Sequence, residues 1–116
     1  MKHIIIIGAG KIGSTIFQFL SCFDHLILTL ADNNNASLAT AITNEKCRTL
    51  LLNQACNFEE VFQLIQYDAV INAGPYSLSI PIAEAALSQG LSYFDLTEDV
   101  PSCERIQQLA QSCNDA

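Results

Sequence analysis

Residues 4–13 read "IIIIGAGKIG": four consecutive isoleucines followed by Gly8, Gly10 and Gly13. A run with no polar alternation is apolar on both faces, and sheets covered on both faces are typically parallel ones flanked by helices. The run therefore predicts an α/β fold. From Ile12 the apolar residues Ile16, Phe19, Leu20 and Phe23 recur at helical intervals, which places the three glycines between a strand and a helix. Their G-x-G-x-x-G spacing assigns each a task. Gly8 permits a tight turn, Gly10 lets the backbone approach a pyrophosphate, and Gly13 allows close helix–sheet packing. The helix N-terminus adds free N–H groups and a partial positive charge where an anion can rest.

A glycine turn of this kind also arises for structural reasons alone, so a second signal is needed. It comes from "HLILTLAD", residues 25–32, an apolar second strand ending in Asp32, nineteen positions after Gly13. A dinucleotide fold needs an acidic group about 20 residues on, at the tip of the second strand, to accept hydrogen bonds from the adenosine ribose. A 2′-phosphate would meet this carboxylate, and no Arg or Lys lies between Lys11 and Lys46 to offset the repulsion. The expected cofactor is NAD rather than NADP. The competing reading makes Asp32 a polar stop before the asparagine turn.

The rest of the chain repeats the alternation. "NASLATAIT" (35–43) carries weak helical patterning, and "CRTLLLN" (47–53) reads as a third strand. "NFEEVFQLIQ" (57–66) opens with Asn57 as N-cap and Glu60 three residues on, and aligns Phe58, Val61, Phe62 and Ile65 on one face. "DAVINAG" (68–74) is a fourth strand. A helix through Ala83, Ala86 and Leu87 ends at Gly90, "LSYFDLT" (91–97) is a fifth strand, and a last helix from about Pro101 aligns Ile106, Leu109, Ala110 and Cys113. Right-handed crossovers then give a Rossmann-type three-layer sandwich with a five-stranded parallel sheet of order 3-2-1-4-5 over residues 1–116. Ligands of such sheets bind where strands one and four diverge, so the loop "VINAGPYSLSIP" is the next place to look. There Asn72 and Gly74 offer polar and bare backbone, Pro75 stops the strand, and Tyr76 can present a flat face with a hydroxyl.

Composition bounds the function. The 116 residues are half hydrophobic and carry a net charge of −7 with only five basic residues, which argues against nucleic acid or an anionic membrane as partner. No targeting or membrane-spanning segment is visible, which reads as a cytoplasmic protein. Cys22, Cys47, Cys56, Cys103 and Cys113 are odd in number and form no C-x-x-C pair, so they read as reduced packing residues. His3 and His25 fall at strand starts without ligand spacing, and no metal is expected. A phosphate-binding G-x-x-x-x-G-K-[ST] loop is absent.

"GAGKIG" (8–13), "VINAGPY" (70–76) and "GLSYFDLTEDV" (90–100) together resemble the saccharopine dehydrogenase family, in particular its lysine-dehydrogenase-like bacterial members, along essentially the whole chain. The glycine motif is common to many nucleotide-binding folds; the spaced pair of later segments is the distinctive part. The resemblance implies an NAD(P)-dependent oxidoreductase acting at the C–N bond of an amino acid of the lysine or saccharopine class. It implies that Gly8, Gly10, Lys11, Ile12 and Gly13 hold the pyrophosphate and Asp32 the ribose. Ala73, Gly74 and Pro75 would line the nicotinamide side, with Asp95, Thr97 and Glu98 at the substrate rim. Asp95 and Glu98 have an alternative role as caps of the following helix. Family members carry a second domain for substrate binding and dimerisation, and the resemblance implies that these 116 residues would correspond to the N-terminal unit. The expectation is a unit that binds NAD(H) without turning over, with exposed apolar surface that can support a homodimer. A different class, the stand-alone nucleotide-sensing domain that gates potassium transport, shares the glycines and the acidic residue but not the "NAGPY" and "DLTED" segments.

Overall fold

A computed structural model describes residues 2–39, 41, 43–52, 57–74 and 78–96. Along the chain run β1 (Lys2–Ile7), α1 (Lys11–Leu20), β2 (Leu26–Asp32), α2 (Asn35–Ala39), β3 (Cys47–Leu51), α3 (Phe58–Gln63), β4 (Ala69–Asn72), α4 (Ser79–Ser88) and β5 (Ser92–Asp95). Every described strand pair is parallel and the order is β3-β2-β1-β4-β5, the Rossmann arrangement that the alternation predicts. The final helix expected from Pro101 lies outside the described residues.

The four isoleucines behave as a doubly covered strand should. Ile5 and Ile7 join one buried cluster with Val70, Val61, Phe62 and Ile82, beneath α3 and α4. Ile6 joins a second with Leu28, Leu30, Phe17 and Leu38, beneath α1 and α2. Because Cβ atoms alternate along a strand, one sequence run supplies both cores.

α1 packs through only part of its expected stripe: Ile16 and Leu20 lie partly buried against the second core. Ile12 and Phe19 are 62% and 64% exposed, and Phe23 lies beyond the helix, partly exposed and edge-on to Phe19. The buried residues are Gly13 and Phe17, one helical turn apart. The physical reason is Gly13 itself. A Cβ built there would lie 1.8 Å from the Gly8 carbonyl oxygen, so this side of the helix is pressed against the strand-to-helix turn. α3 follows its pattern more closely, burying Val61 and Phe62, while the Asn57 side chain accepts from the Glu59 N–H at 2.9 Å.

Of the cysteines, Cys47 is buried in the second core, whereas Cys22 is exposed after α1 and does not pack as expected. Cys56, Cys103 and Cys113 lie outside the described residues. His25 is exposed just before β2 rather than on it. No group of His, Cys, Asp and Glu among the described residues could hold a metal, and no helix among them is long and apolar enough to cross a membrane.

His3, on β1, is half-buried, with Nε2 2.9 Å from the Thr29 hydroxyl oxygen and its ring edge-on to Tyr67 at 4.6 Å. Burial, and then the positive charge of Arg48, holds its pKa below the ordinary 6.5, with Asp68 opposing. The unfolded chain therefore takes up this proton first. The stability contributed by neutral His3 is complete above pH 6.5 and is lost as pH falls through the folded-state value. The urea midpoint is expected to drop more between pH 7.5 and pH 5 in the native sequence than in His3→Gln. Parallel declines would remove His3 from the account.

Candidate functional site

The carboxyl ends of β1, β2 and β4 converge at the point where the strand order reverses, which is where α/β sheets take their ligands. Gly8 has φ +104°, and a Cβ there would lie 2.8 Å from the Ala73 carbonyl carbon and from the Gly74 nitrogen. Both the backbone conformation and the close approach demand glycine. Thus the turn after β1 is wedged between α1 on one side, through Gly13, and the loop after β4 on the other.

Gly10 is different. Its φ is −71° and a Cβ would meet nothing within 4 Å, so neither strain nor packing requires glycine there. The space beside it is open, at the N-terminus of a ten-residue helix that has no side-chain cap. This is a cradle of the kind a pyrophosphate fits: bare backbone, unfilled volume and unpaired helix N–H groups.

Asp32 stands at the tip of β2 and its carboxylate is held twice. Oδ2 accepts from the Ala9 N–H at 2.6 Å and Oδ1 from the Asn34 N–H at 2.9 Å. The first bond crosses from the end of β2 to the glycine turn, so the acidic group and the turn form one unit. Together with Gly8 and Gly74, Asp32 lines a cavity of about 660 Å³. Of the other predicted site residues, Gly10, Lys11 and Ile12 open α1 outside that cavity, and Gly13 is buried beneath the turn. Ala73 extends the β4 ladder by donating its N–H to the Ile7 carbonyl at 2.8 Å. Pro75, Tyr76, Thr97 and Glu98 lie outside the described residues.

The cavity also has walls that the local motifs do not reveal. Asn33 continues from Asp32, Phe58 and Glu59 come from the start of α3, and Pro81 and Glu84 come from α4. Their available signal is topological: the chain crosses from β3 to β4 over β2 and β1, which brings the α3 N-terminus beside the β2 tip. None of the described lining residues is basic, and Asp32, Glu59 and Glu84 are acidic.

Behind Gly74 lies a polar network. Asn72 is 1% exposed; its Oδ1 accepts from the Gly74 N–H at 3.0 Å, and its Nδ2 donates to the Tyr93 hydroxyl at 3.1 Å and to Ser79 Oγ at 3.3 Å. The Tyr93 hydroxyl lies 2.6 Å from Asp95 Oδ2, which accepts its proton. Burial, and next this bond to Asp95, pushes the phenol well above its ordinary pKa, so it is protonated at any physiological pH. Asn72 thus faces inward as a hub, instead of offering its side chain to a ligand.

The sequence profile of the saccharopine dehydrogenase NADP binding domain matches residues 4–116. The chain belongs to this family of dinucleotide-binding domains. Among solved structures, this saccharopine dehydrogenase-type domain is similar to scyllo-inositol dehydrogenase from Lactobacillus casei, a structure with bound NAD(H) and scyllo-inositol (TM-score 0.78, 20% identity). That match covers 99% of this chain and 34% of the other. Biliverdin reductase from Synechocystis, in complex with biliverdin and NADP+, matches at TM-score 0.74 and 22% identity, over 97% of this chain and 35% of its own. Saccharopine dehydrogenase (L-Glu forming) from Saccharomyces cerevisiae matches at 0.76 and 17% identity, over 91% and 24%. Among curated protein sequences none matches this chain. The domain spans about a third of the length of the first two of these structures. At such identities the likeness is one of fold, and it extends to proteins with either nicotinamide dinucleotide.

Proposed function

We propose that these residues form the cofactor-binding unit of an oxidoreductase acting at the C–N bond of an amino acid of the lysine or saccharopine class. In this reading the unit takes NAD(H) in preference to NADP(H) and does not turn over by itself. The observation that carries the preference is the Asp32 carboxylate, fixed at the cavity rim by two backbone N–H groups and accompanied by Glu59 and Glu84. An adenosine ribose with both hydroxyls can donate to Asp32. A 2′-phosphate would face it charge against charge, at a cost on the order of 1–4 kcal/mol for a unit pair about 4 Å apart. The family's name speaks of NADP; the acidic Asp32 among the described lining residues supports the NAD(H) reading.

When bound, the nicotinamide would accept or deliver the hydride. The chain's own residues would do the holding: Gly8, Gly10, Lys11, Ile12 and Gly13 around the pyrophosphate, Asp32 at the ribose, and Ala73, Gly74 and Pro75 along the nicotinamide side. Amino-acid oxidation also needs a proton acceptor and a clamp for the substrate carboxylate. Among the described lining residues there is no His, Lys or Arg, which supports a reading in which this unit supplies the cofactor site and not the substrate clamp.

Calorimetric titration of the 116-residue chain with NADH, NADPH and ATP in parallel tests the reading. NADH is expected to bind at least tenfold tighter than NADPH. Equal or tighter NADPH binding would overturn the cofactor preference, and a preference for ATP would favour a nucleotide-sensing module.

A further inference from the structure

The Asn72 network is built more expensively than a turn requires. A buried amide satisfies three partners at once, and each bond reaches a different element: Gly74 in the loop after β4, Ser79 at the start of α4, and Tyr93 on β5. A half-satisfied buried amide would be destabilising, so the arrangement holds only as a set. The last link is the Tyr93 hydroxyl on Asp95 at 2.6 Å. Asp95 is half-buried at the carboxyl end of β5, directly in register with Asn72 at the carboxyl end of β4. Asp32 marks the opposite side of the switch point, across β1, two strands from β4 and three from β5.

A dinucleotide laid across this edge, with its adenosine at Asp32 and its pyrophosphate over the turn, must carry its other half toward the ends of β4 and β5. Gly74 lines the cavity at that crossing. The nicotinamide ring bears a carboxamide whose NH₂ needs an acceptor, and a carboxylate offers about four lone-pair sites. We propose that Asp95 accepts from the nicotinamide carboxamide, and that Tyr93 is the positioning residue that fixes Asp95 for this contact. Asn72 holds both parts: its Nδ2 orients the Tyr93 hydroxyl oxygen, leaving the phenol proton for Asp95, while its Oδ1 fixes the Gly74 backbone against which the ring side of the cofactor would lie. This assignment rests on the dinucleotide reading above and adds which residues recognise the nicotinamide half.

The test compares NADH with ADP-ribose, which keeps the adenosine and pyrophosphate but lacks the nicotinamide, in the native chain and in Tyr93→Phe, Asp95→Ala and the double variant. Thermal midpoints are recorded alongside. Tyr93→Phe retains the ring and is expected to lower NADH affinity five- to tenfold relative to ADP-ribose. Asp95→Ala should lower the same ratio at least as far, and the double variant no further than Asp95→Ala alone, because Tyr93 acts through Asp95. Equal losses for both ligands would make the network a purely structural one and overturn the assignment. Effects that multiply in the double variant would do the same. A native chain that binds ADP-ribose as tightly as NADH overturns this inference while leaving the dinucleotide reading intact; one that binds neither removes both.

Discussion

Gly13→Ala is expected to lower the stability of this domain by about 3 kcal/mol or more, the upper range for overpacking a closed interior. The added methyl would lie 1.8 Å from the Gly8 carbonyl oxygen and 2.9 Å from its carbonyl carbon. Neither atom is the end of a flexible side chain. Gly8 cannot retreat, because its own α-carbon is pressed against the Ala73–Gly74 backbone at distances a Cβ would reduce to 2.8 Å. Relief therefore requires α1 to lift from the sheet, which would uncover Phe17 and the core made with Leu28 and Leu30. Chemical denaturation of the variant measures the loss. Gly10→Ala supplies the contrast: its methyl enters open space, so the urea midpoint should stay within experimental error while NADH affinity falls. A Gly13→Ala variant as stable as the native chain would show that the helix does not dock through this contact.

Asp32→Ala is expected to weaken NADH binding by about 1–3 kcal/mol, a five- to 150-fold loss, through removal of charge-assisted bonds to the ribose. NADPH should lose less or gain, since the repelled 2′-phosphate no longer faces a carboxylate. The ratio of the two affinities is thus the sharper readout. The substitution also strips the Ala9 and Asn34 N–H groups of their acceptors; Asp32→Asn keeps an acceptor oxygen for one of the two without the charge, so the difference between the two variants reads what one remaining anchor preserves. Unchanged affinities in both variants would remove Asp32 from the cofactor site.

The sheet order and the glycine turn were legible because their signals are local. A strand without alternation, glycines at fixed spacing and an acidic residue closing the next strand are readable without knowing what lies across the fold. α1 shows where this stops. Of the apolar residues that periodicity aligned, Ile16 and Leu20 do pack against the second core, whereas Ile12, Phe19 and Phe23 are exposed, and the deciding fact was a contact between Gly13 and Gly8. Once Gly13 is known to touch the turn, Phe17 follows four residues on. Asn72 and Tyr93 were hidden for a related reason. They are twenty-one residues apart, and only the register of β4 with β5 brings the amide beneath the hydroxyl. The cavity wall from α3 and α4 is likewise a product of crossover geometry, with no motif of its own.

The doubly anchored carboxylate at the β2 tip has an entropic consequence. A free surface aspartate samples several rotamers, and a ligand that captures it must absorb the loss of that freedom, commonly some tenths of a kcal/mol to more than 1 kcal/mol for an immobilised side chain. Here the two backbone N–H groups have already restricted Asp32 to one rotamer, with lone pairs remaining for a ribose. A glutamate at this position would bring the same charge on a longer, freer arm, and the ordering that the fold now performs would fall to the ligand.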